Sequence, residues 1–153
     1  MASNQQPAPK TILVVDDDLS VLTVVKCMLE CDDYTVLMAN SAEAALRLIE
    51  RKDLMIDLMI TDVVMPDMNG RELVERVLTI RPYVKVLFMS GYTDSEVVRM
   101  KVLNRTSGFL PKPFTSADIQ EHVRTALAAP LHQSAAAGAD TFAFYRSLTP
   151  ERN

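Results

Sequence analysis

Leu58-Met59-Ile60-Thr61-Asp62-Val63-Val64-Met65-Pro66-Asp67-Met68-Asn69-Gly70 delivers one carboxylate, Asp62, from an apolar run into a loop bounded by Pro66 and Gly70. A carboxylate at the end of a buried strand serves as a nucleophile, a metal ligand or a helix cap. Three other runs narrow the choice. Ile12-Leu13-Val14-Val15 ends in Asp16-Asp17-Asp18, Val86-Leu87-Phe88-Met89 ends in Ser90-Gly91, and Gly108-Phe109-Leu110 runs into Pro111-Lys112-Pro113-Phe114. Each apolar run thus ends in a polar residue suited to phosphoryl chemistry.

Outward from these runs, short apolar stretches alternate with helical patterns. The run 11–15 is followed at helical spacing by Val21, Val24, Val25, Met28 and Leu29, with Asp18 placed to cap that helix. A second strand over 34–38 leads into Ala42, Ala45, Leu46 and Ile49, which share one helical face. A third strand covers 56–61, and Leu73, Val74, Val77 and Leu78 mark a third helix. The fourth strand, 85–89, follows Arg81-Pro82, where proline stops the helix. A fourth helix over about 94–104 spreads Val97, Val98, Met100, Val102 and Leu103 over more than one face. A short fifth strand over 106–110 precedes a fifth helix with Ile119, Val123, Ala126 and Leu127, capped by Thr115 or Ser116. Five strands alternating with five helices predict a doubly wound α/β domain, its parallel sheet covered on both faces.

The 153 residues suffice for one ordinary domain with a modest extension. The domain is expected over 11–129, after a polar, disordered leader at 1–10 containing Pro7 and Pro9. Past Ala129, Pro130 breaks the helix, and the tail 130–153 holds a featureless stretch, Ser134 to Ala139, then Thr141-Phe142-Ala143-Phe144-Tyr145. That aromatic cluster either docks on the domain or on a partner, or belongs to a frayed end. An output domain is not expected in a tail of roughly twenty residues.

An apolar fraction of 48% argues against disorder, and a net charge of −4 offers no basic face, so direct contact with nucleic acid is not expected. No apolar run approaches a membrane span and the N-terminus lacks a signal-peptide core, so the expected location is cytoplasmic. Cys27 and Cys31, four apart on a helix, lack the second pair of Cys or His that would complete a zinc site. They are expected to pack at the edge of the helix's core face. The solitary His122 and His132 read as surface residues.

A doubly wound sheet places its ligands at the carboxyl ends of the strands. The fold therefore gathers Asp16 and Asp17, Asp62, Ser90 and Lys112, which are far apart in sequence. With these motifs in this order, residues 10–128 resemble the receiver domains of two-component response regulators, among them those attached to hybrid sensor histidine kinases. The resemblance implies a flavodoxin-like (βα)5 fold with strand order 2-1-3-4-5. It makes Asp62 the phosphoacceptor, with Asp16, Asp17, Asp62 and the carbonyl of Val64 as the protein's share of a Mg²⁺ shell. Ser90 and Lys112 would each hold a phosphoryl oxygen, and Phe109 stands where the family has its switch aromatic, here without a hydroxyl. The implied donor is a histidine kinase or histidine phosphotransfer protein. With Val21, Val24, Val25, Met28 and Leu29 on the core face, Leu19 and Leu22 are expected to stand exposed beside the acidic site, and the donor is expected to dock there. The implied output is a switch of the surface made by the fourth helix, fifth strand and fifth helix, with a phosphorylation-dependent dimer among its forms. Such a domain is not a conventional enzyme: it assists its own phosphorylation and dephosphorylation. The Lys112-Pro113 bond stands where the family has a cis peptide.

Crowded carboxylates repel, and a hard, oxygen-seeking Mg²⁺ offsets that repulsion. Taken singly, Asp16 or Asp17 reads equally as a helix cap, Lys112 as a surface lysine, Ser90 as a turn residue and Phe109 as a core aromatic. Asp18 reads as a cap and Asp67 as a loop residue. Two rival functions remain. Asp16-Asp17-Asp18-Leu19-Ser20 loosely mimics the nucleophile loop of a haloacid dehalogenase-type phosphohydrolase, which needs a further acidic pair after Lys112; Asp118, Glu121 and Asp140 follow scattered, not paired. A flavin-binding module needs a Ser/Thr/Gly-rich phosphate loop after the first strand, where three aspartates stand instead.

Overall fold

The computed structural model describes residues 6–91 and 108–129. In chain order these form β1 (Thr11–Val15), α1 (Leu19–Glu30), β2 (Thr35–Ala39), α2 (Ala42–Glu50), β3 (Leu58–Asp62), α3 (Gly70–Ile80), β4 (Lys85–Ser90), β5 (Phe109–Pro111) and α4 (Ser116–Ala128). The strands pair in parallel in the order β2-β1-β3-β4-β5. This is the expected doubly wound, flavodoxin-like arrangement. The helix expected over about 94–104, the first five residues of the leader and the tail 130–153 lie outside the described residues. Among the described residues, no helix is long and apolar enough to cross a membrane.

Successive strand side chains point to opposite faces, so a strand covered on both sides must be apolar throughout. In β1, Leu13 and Val15 join Met59, Val86 and Phe88 in a core closed by α2 and α3. Ile12 and Val14 join Leu58, Ile60, Leu87 and Met89 in a second core closed by α1 and α4. Each helix begins at a side chain that takes up an orphan N–H. Asp18 accepts from Ser20, Ser41 from Ala44 and Asn69 from Glu72, while Thr115 and Asp118 form a reciprocal capping box. Of the two caps expected for the last helix, Thr115 serves. Past α3, the Arg81 guanidinium donates to the carbonyls of Ile49 at 2.7 Å, Leu54 at 2.6 Å and Arg51, tying the end of α2 to the end of α3.

Boundaries shift slightly from the expected ones. β3 starts at Leu58, and just before it the Asp57 carboxylate accepts the Thr11 N–H at 2.8 Å. β2 starts at Thr35, and β5 runs from Phe109 to Pro111 after Gly108, whose φ is 141°.

The face of α1 needs correction. Leu22, expected to be exposed, is a core residue at 1% exposure, whereas Val24, expected inside, is 50% exposed. With 3.6 residues per turn, Val24 lies about 200° around the helix from Leu22. The buried stripe is Leu22, Val25 and Leu29, with Val21 and Met28 half-buried at its margins. Apolar residues occur all round the first two turns, so periodicity alone could not select the face; the sheet selects it. The same rotation puts both cysteines on the solvent side, and Cys27 and Cys31 are exposed free thiols rather than core-edge residues. Leu19 is exposed, as expected.

Gly70 sets the approach of α3 to the strand that carries Asp62. Its N–H donates to the Val63 carbonyl at 2.8 Å, and a Cβ added to it would meet the Asp62 carbonyl oxygen at 2.1 Å. Any other residue forces the helix and the strand end apart.

Two outcomes follow for urea unfolding. Leu22→Ala should cost about 2–5 kcal/mol, and Val24→Ala no more than about 0.5 kcal/mol; equal costs would contradict the assigned face. Gly70→Ala should cost about 1–3 kcal/mol by overpacking, and an unchanged midpoint would show that the loop yields freely.

Candidate functional site

The carboxyl ends of β1, β3, β4 and β5 meet at one edge of the sheet. Asp16 follows β1 directly, and its N–H donates to Ala39 at 3.2 Å. Its carboxylate is almost wholly buried, with Oδ1 accepting from the Asp18 N–H at 2.9 Å and Oδ2 from Lys112 Nζ at 2.8 Å. Asp62 ends β3, and its Oδ2 accepts from the same Lys112 Nζ at 3.3 Å. Asp62 Oδ1 receives a longer bond, 3.4 Å, from the Val64 N–H. Asp17 is exposed at the rim, and carboxylate oxygens of Asp16, Asp17 and Asp62 all lie within 4.8 Å of one another.

Lys112 is aimed by β5. Its N–H donates to the Ser90 carbonyl at 2.7 Å, and the Lys112–Pro113 peptide is cis. Ser90 is buried at the end of β4, one residue past Met89, which pairs with Asp62. Val64 stands exposed in the loop after β3. Phe109 is half-buried, pairs with Phe88 across β4 and β5, and packs on the core shared with α2 and α3. Asp16, Asp17, Asp62 and Lys112 are thus in one cluster, with Ser90 and Val64 on the strand end and loop that border it and Phe109 on β5, three residues before Lys112.

The electrostatics are those of a crowded acidic site. Burial pushes the Asp62 carboxyl above its ordinary range and the neighbouring Asp16 adds to this, while Lys112 and the Val64 N–H pull it back in part. Burial also opposes the charge on Lys112, but the Asp16 hydrogen bond and the charges of Asp62 and Asp16 outweigh it, and the ammonium is held more firmly than usual. Three carboxylates around one ammonium leave a local excess of negative charge. An all-oxygen donor set with uncompensated charge suits a hard divalent cation.

Two features were not readable from the sequence. Thr61, fully buried, donates from Oγ1 to the Asp62 carbonyl at 3.0 Å, and Gly70 packs against the same carbonyl. Gly70 was visible only as a loop boundary; nothing marked Thr61 off from a strand residue. Asp18 behaves as the cap it was expected to be, its carboxyl lowered by its hydrogen bonds with Ser20. Asp118 is engaged with Thr115 in the capping box, which removes it from the acidic pair a dehalogenase-type site requires.

Comparison with known proteins agrees with this arrangement. The family model described as "Response regulator receiver domain" matches residues 12–124. Sensor kinase CckA of Brucella abortus (strain 2308) is 33% identical over 117 residues, covering 76% of this chain and 12% of that protein. The DNA-binding transcriptional regulator NtrC of Rhizobium meliloti (strain 1021) is 36% identical over 120 residues, covering 78% of this chain and 24% of that protein. The chain thus spans a quarter or less of these curated relatives. A crystal structure of a CheY-like response regulator receiver domain protein from Methanospirillum hungatei JF-1 superposes with a TM-score of 0.71 at 32% identity, covering 78% of this chain and 94% of that one. With the matched stretch holding all five strands and the acidic edge between them, the chain belongs to the response regulator receiver domains of two-component signalling.

Proposed function

We propose that this domain accepts a phosphoryl group on Asp62 from a phosphohistidine donor, a histidine kinase or histidine phosphotransfer protein. The observation that carries this reading is the cluster of Asp62 with Asp16, Asp17 and Lys112 at one sheet edge. A carboxylate oxygen of Asp62 attacks phosphorus, the P–N bond breaks, and the imidazole leaves with the electron pair. Lys112, paired with both carboxylates, would hold a phosphoryl oxygen, and Ser90 would donate to another. Asp16, Asp17, Asp62 and the Val64 carbonyl would hold Mg²⁺, which when bound neutralises charge on the transferring group. The buried Asp16 orients Lys112, and the exposed Asp17 leaves the site open to the donor. Water then releases phosphate from the acyl phosphate, so the domain assists its own loading and unloading and turns over no separate substrate.

The signalling step in this reading is a population shift. Ser90 moves toward the phosphoryl group, and Phe109, half-buried beside β4, turns inward. The surface that would change is that of β5, α4 and the segment 94–104. The donor would approach beside the exposed Leu19 at the start of α1; Leu22, now a core residue, takes no part. The related stretch occurs in a sensor kinase and in a DNA-binding transcriptional regulator, which supports a module that reads phosphorylation and leaves the output to its setting. A cytoplasmic location fits such donors.

Incubation with acetyl phosphate and Mg²⁺ should add one phosphoryl group to the intact mass, reversibly. The addition should fail after chelation and in Asp62→Asn, and Asp17→Asn should lower both Mg²⁺ affinity and yield. Persistent labelling of Asp62→Asn would refute the acceptor, and unchanged Mg²⁺ affinity in Asp17→Asn would refute the ligand. For the switch, NMR of the loaded domain should show shifts at Phe109 as well as around Asp62; shifts confined to the Asp62 loops would rule the switch out.

A further inference from the structure

The far end of the sheet, where the strands begin, carries a second concavity. An open groove of about 640 Å³ is lined by Leu54, Met55, Ile56, Ile80, Tyr83 and Leu127, among others. Met55 is 78% exposed and Tyr83 76%, and Ile80 is also exposed. These exposed apolar side chains stand together along one groove, with charged residues around them. It lies at the opposite edge from Asp62, beside Lys10, Asp57 and Lys85 at the starts of β1, β3 and β4. The phosphoryl chemistry proposed above makes no use of it.

We propose that this groove is the docking site of the chain's own segment Thr141-Phe142-Ala143-Phe144-Tyr145, bound within the same molecule. The chain leaves the domain at the groove itself. Leu127, in the last turn of α4, lines it, and the Leu127 carbonyl accepts from Lys85 Nζ at its wall, so the helix end is anchored there. Residues 130–140, Pro130-Leu131-His132-Gln133-Ser134-Ala135-Ala136-Ala137-Gly138-Ala139-Asp140, then connect to the segment. Fully extended, eleven residues reach about 36 Å, and a random coil of that length spans about 18 Å on average. Both distances suffice to return to a groove that begins at the linker's own root. A short tether of this kind holds the segment at a local concentration on the order of millimolar, so modest contacts fill the site.

The chemistry matches. Phe142, Phe144 and Tyr145 are the aromatic residues of the segment, and the groove is in the volume range that accommodates a few such rings. Aromatic side chains bury large apolar areas with little rotamer entropy lost. The rim carries both signs of charge, Glu50 and Lys52, and the segment is flanked by both, Asp140 and Arg146.

Methyl NMR on the full 153-residue chain tests this. Triple substitution Phe142→Ser, Phe144→Ser, Tyr145→Ser should move the Met55, Ile80 and Leu54 methyl signals and leave Ile60 and Val14, near the acidic edge, in place. In the reciprocal variant Ile80→Asp, Met55→Asp, the Phe142 and Phe144 ring signals should collapse to unstructured positions, with folding checked by the unchanged Ile60 signal. Unmoved Met55 and Ile80 signals in the triple variant would overturn the proposal. So would shifts that fade on tenfold dilution, since they would place the segment on a second molecule.

Discussion

Lys112 stands between two aspartates that would otherwise not tolerate each other. Asp16 is buried and Asp62 half-buried, and their carboxylate oxygens lie within 4.8 Å. Like charges near 5 Å apart in a protein environment of effective dielectric 20 repel by about 3 kcal/mol. A single ammonium donating to both, at 2.8 and 3.3 Å, offsets part of that. The remainder is carried by the scaffold, which holds the carboxylates where free chains would let them separate. A site built this way keeps an appetite for cations, and this underlies its proposed response to a metal and to a phosphoryl group.

The scaffold can hold the strain because the strands beneath it are buried on both faces. Val15, Ile60 and Met89 are fully excluded from solvent immediately before or near the residues that bear charge. Rigid strands end abruptly, and the loops past them carry the chemistry. Gly70 and Thr61 both act on the Asp62 carbonyl, one by letting α3 approach and the other by a hydrogen bond. The placement of the acidic side chain is therefore set partly through its own backbone.

The two edges of a parallel sheet are chemically unlike. At the carboxyl edge, the exposed Asp17 stands beside the buried Asp16 and the half-buried Asp62. At the amino edge, the ends of α2, α3 and α4 come together over Ile49, Leu54, Ile80 and Leu127, and the Arg81 guanidinium donates to the Ile49 carbonyl in the last turn of α2 and to the Leu54 carbonyl beyond it. That edge is left open, and the docking site proposed for the segment after α4 rests on it.

Much of this was legible in residues alone. Runs apolar at every position announce strands covered on both faces, and Asp18 and Thr115 mark helix starts through local hydrogen bonding. Parallel order then forces Asp16, Asp17, Asp62 and Lys112 to one edge, because every strand ends there. What depends on contacts between distant segments was not legible. The face of α1 is one case: with Val21, Leu22, Val24 and Val25 all apolar, periodicity permits several faces, and only packing on Ile12 and Val14 buries Leu22 and exposes Val24. Lys112 spanning Asp16 and Asp62, the closeness of Gly70 to the Asp62 carbonyl, and the groove where three helices end are of the same kind. Local pattern is set by neighbours a few residues away, whereas these features are distances between elements, and only the packed chain has them.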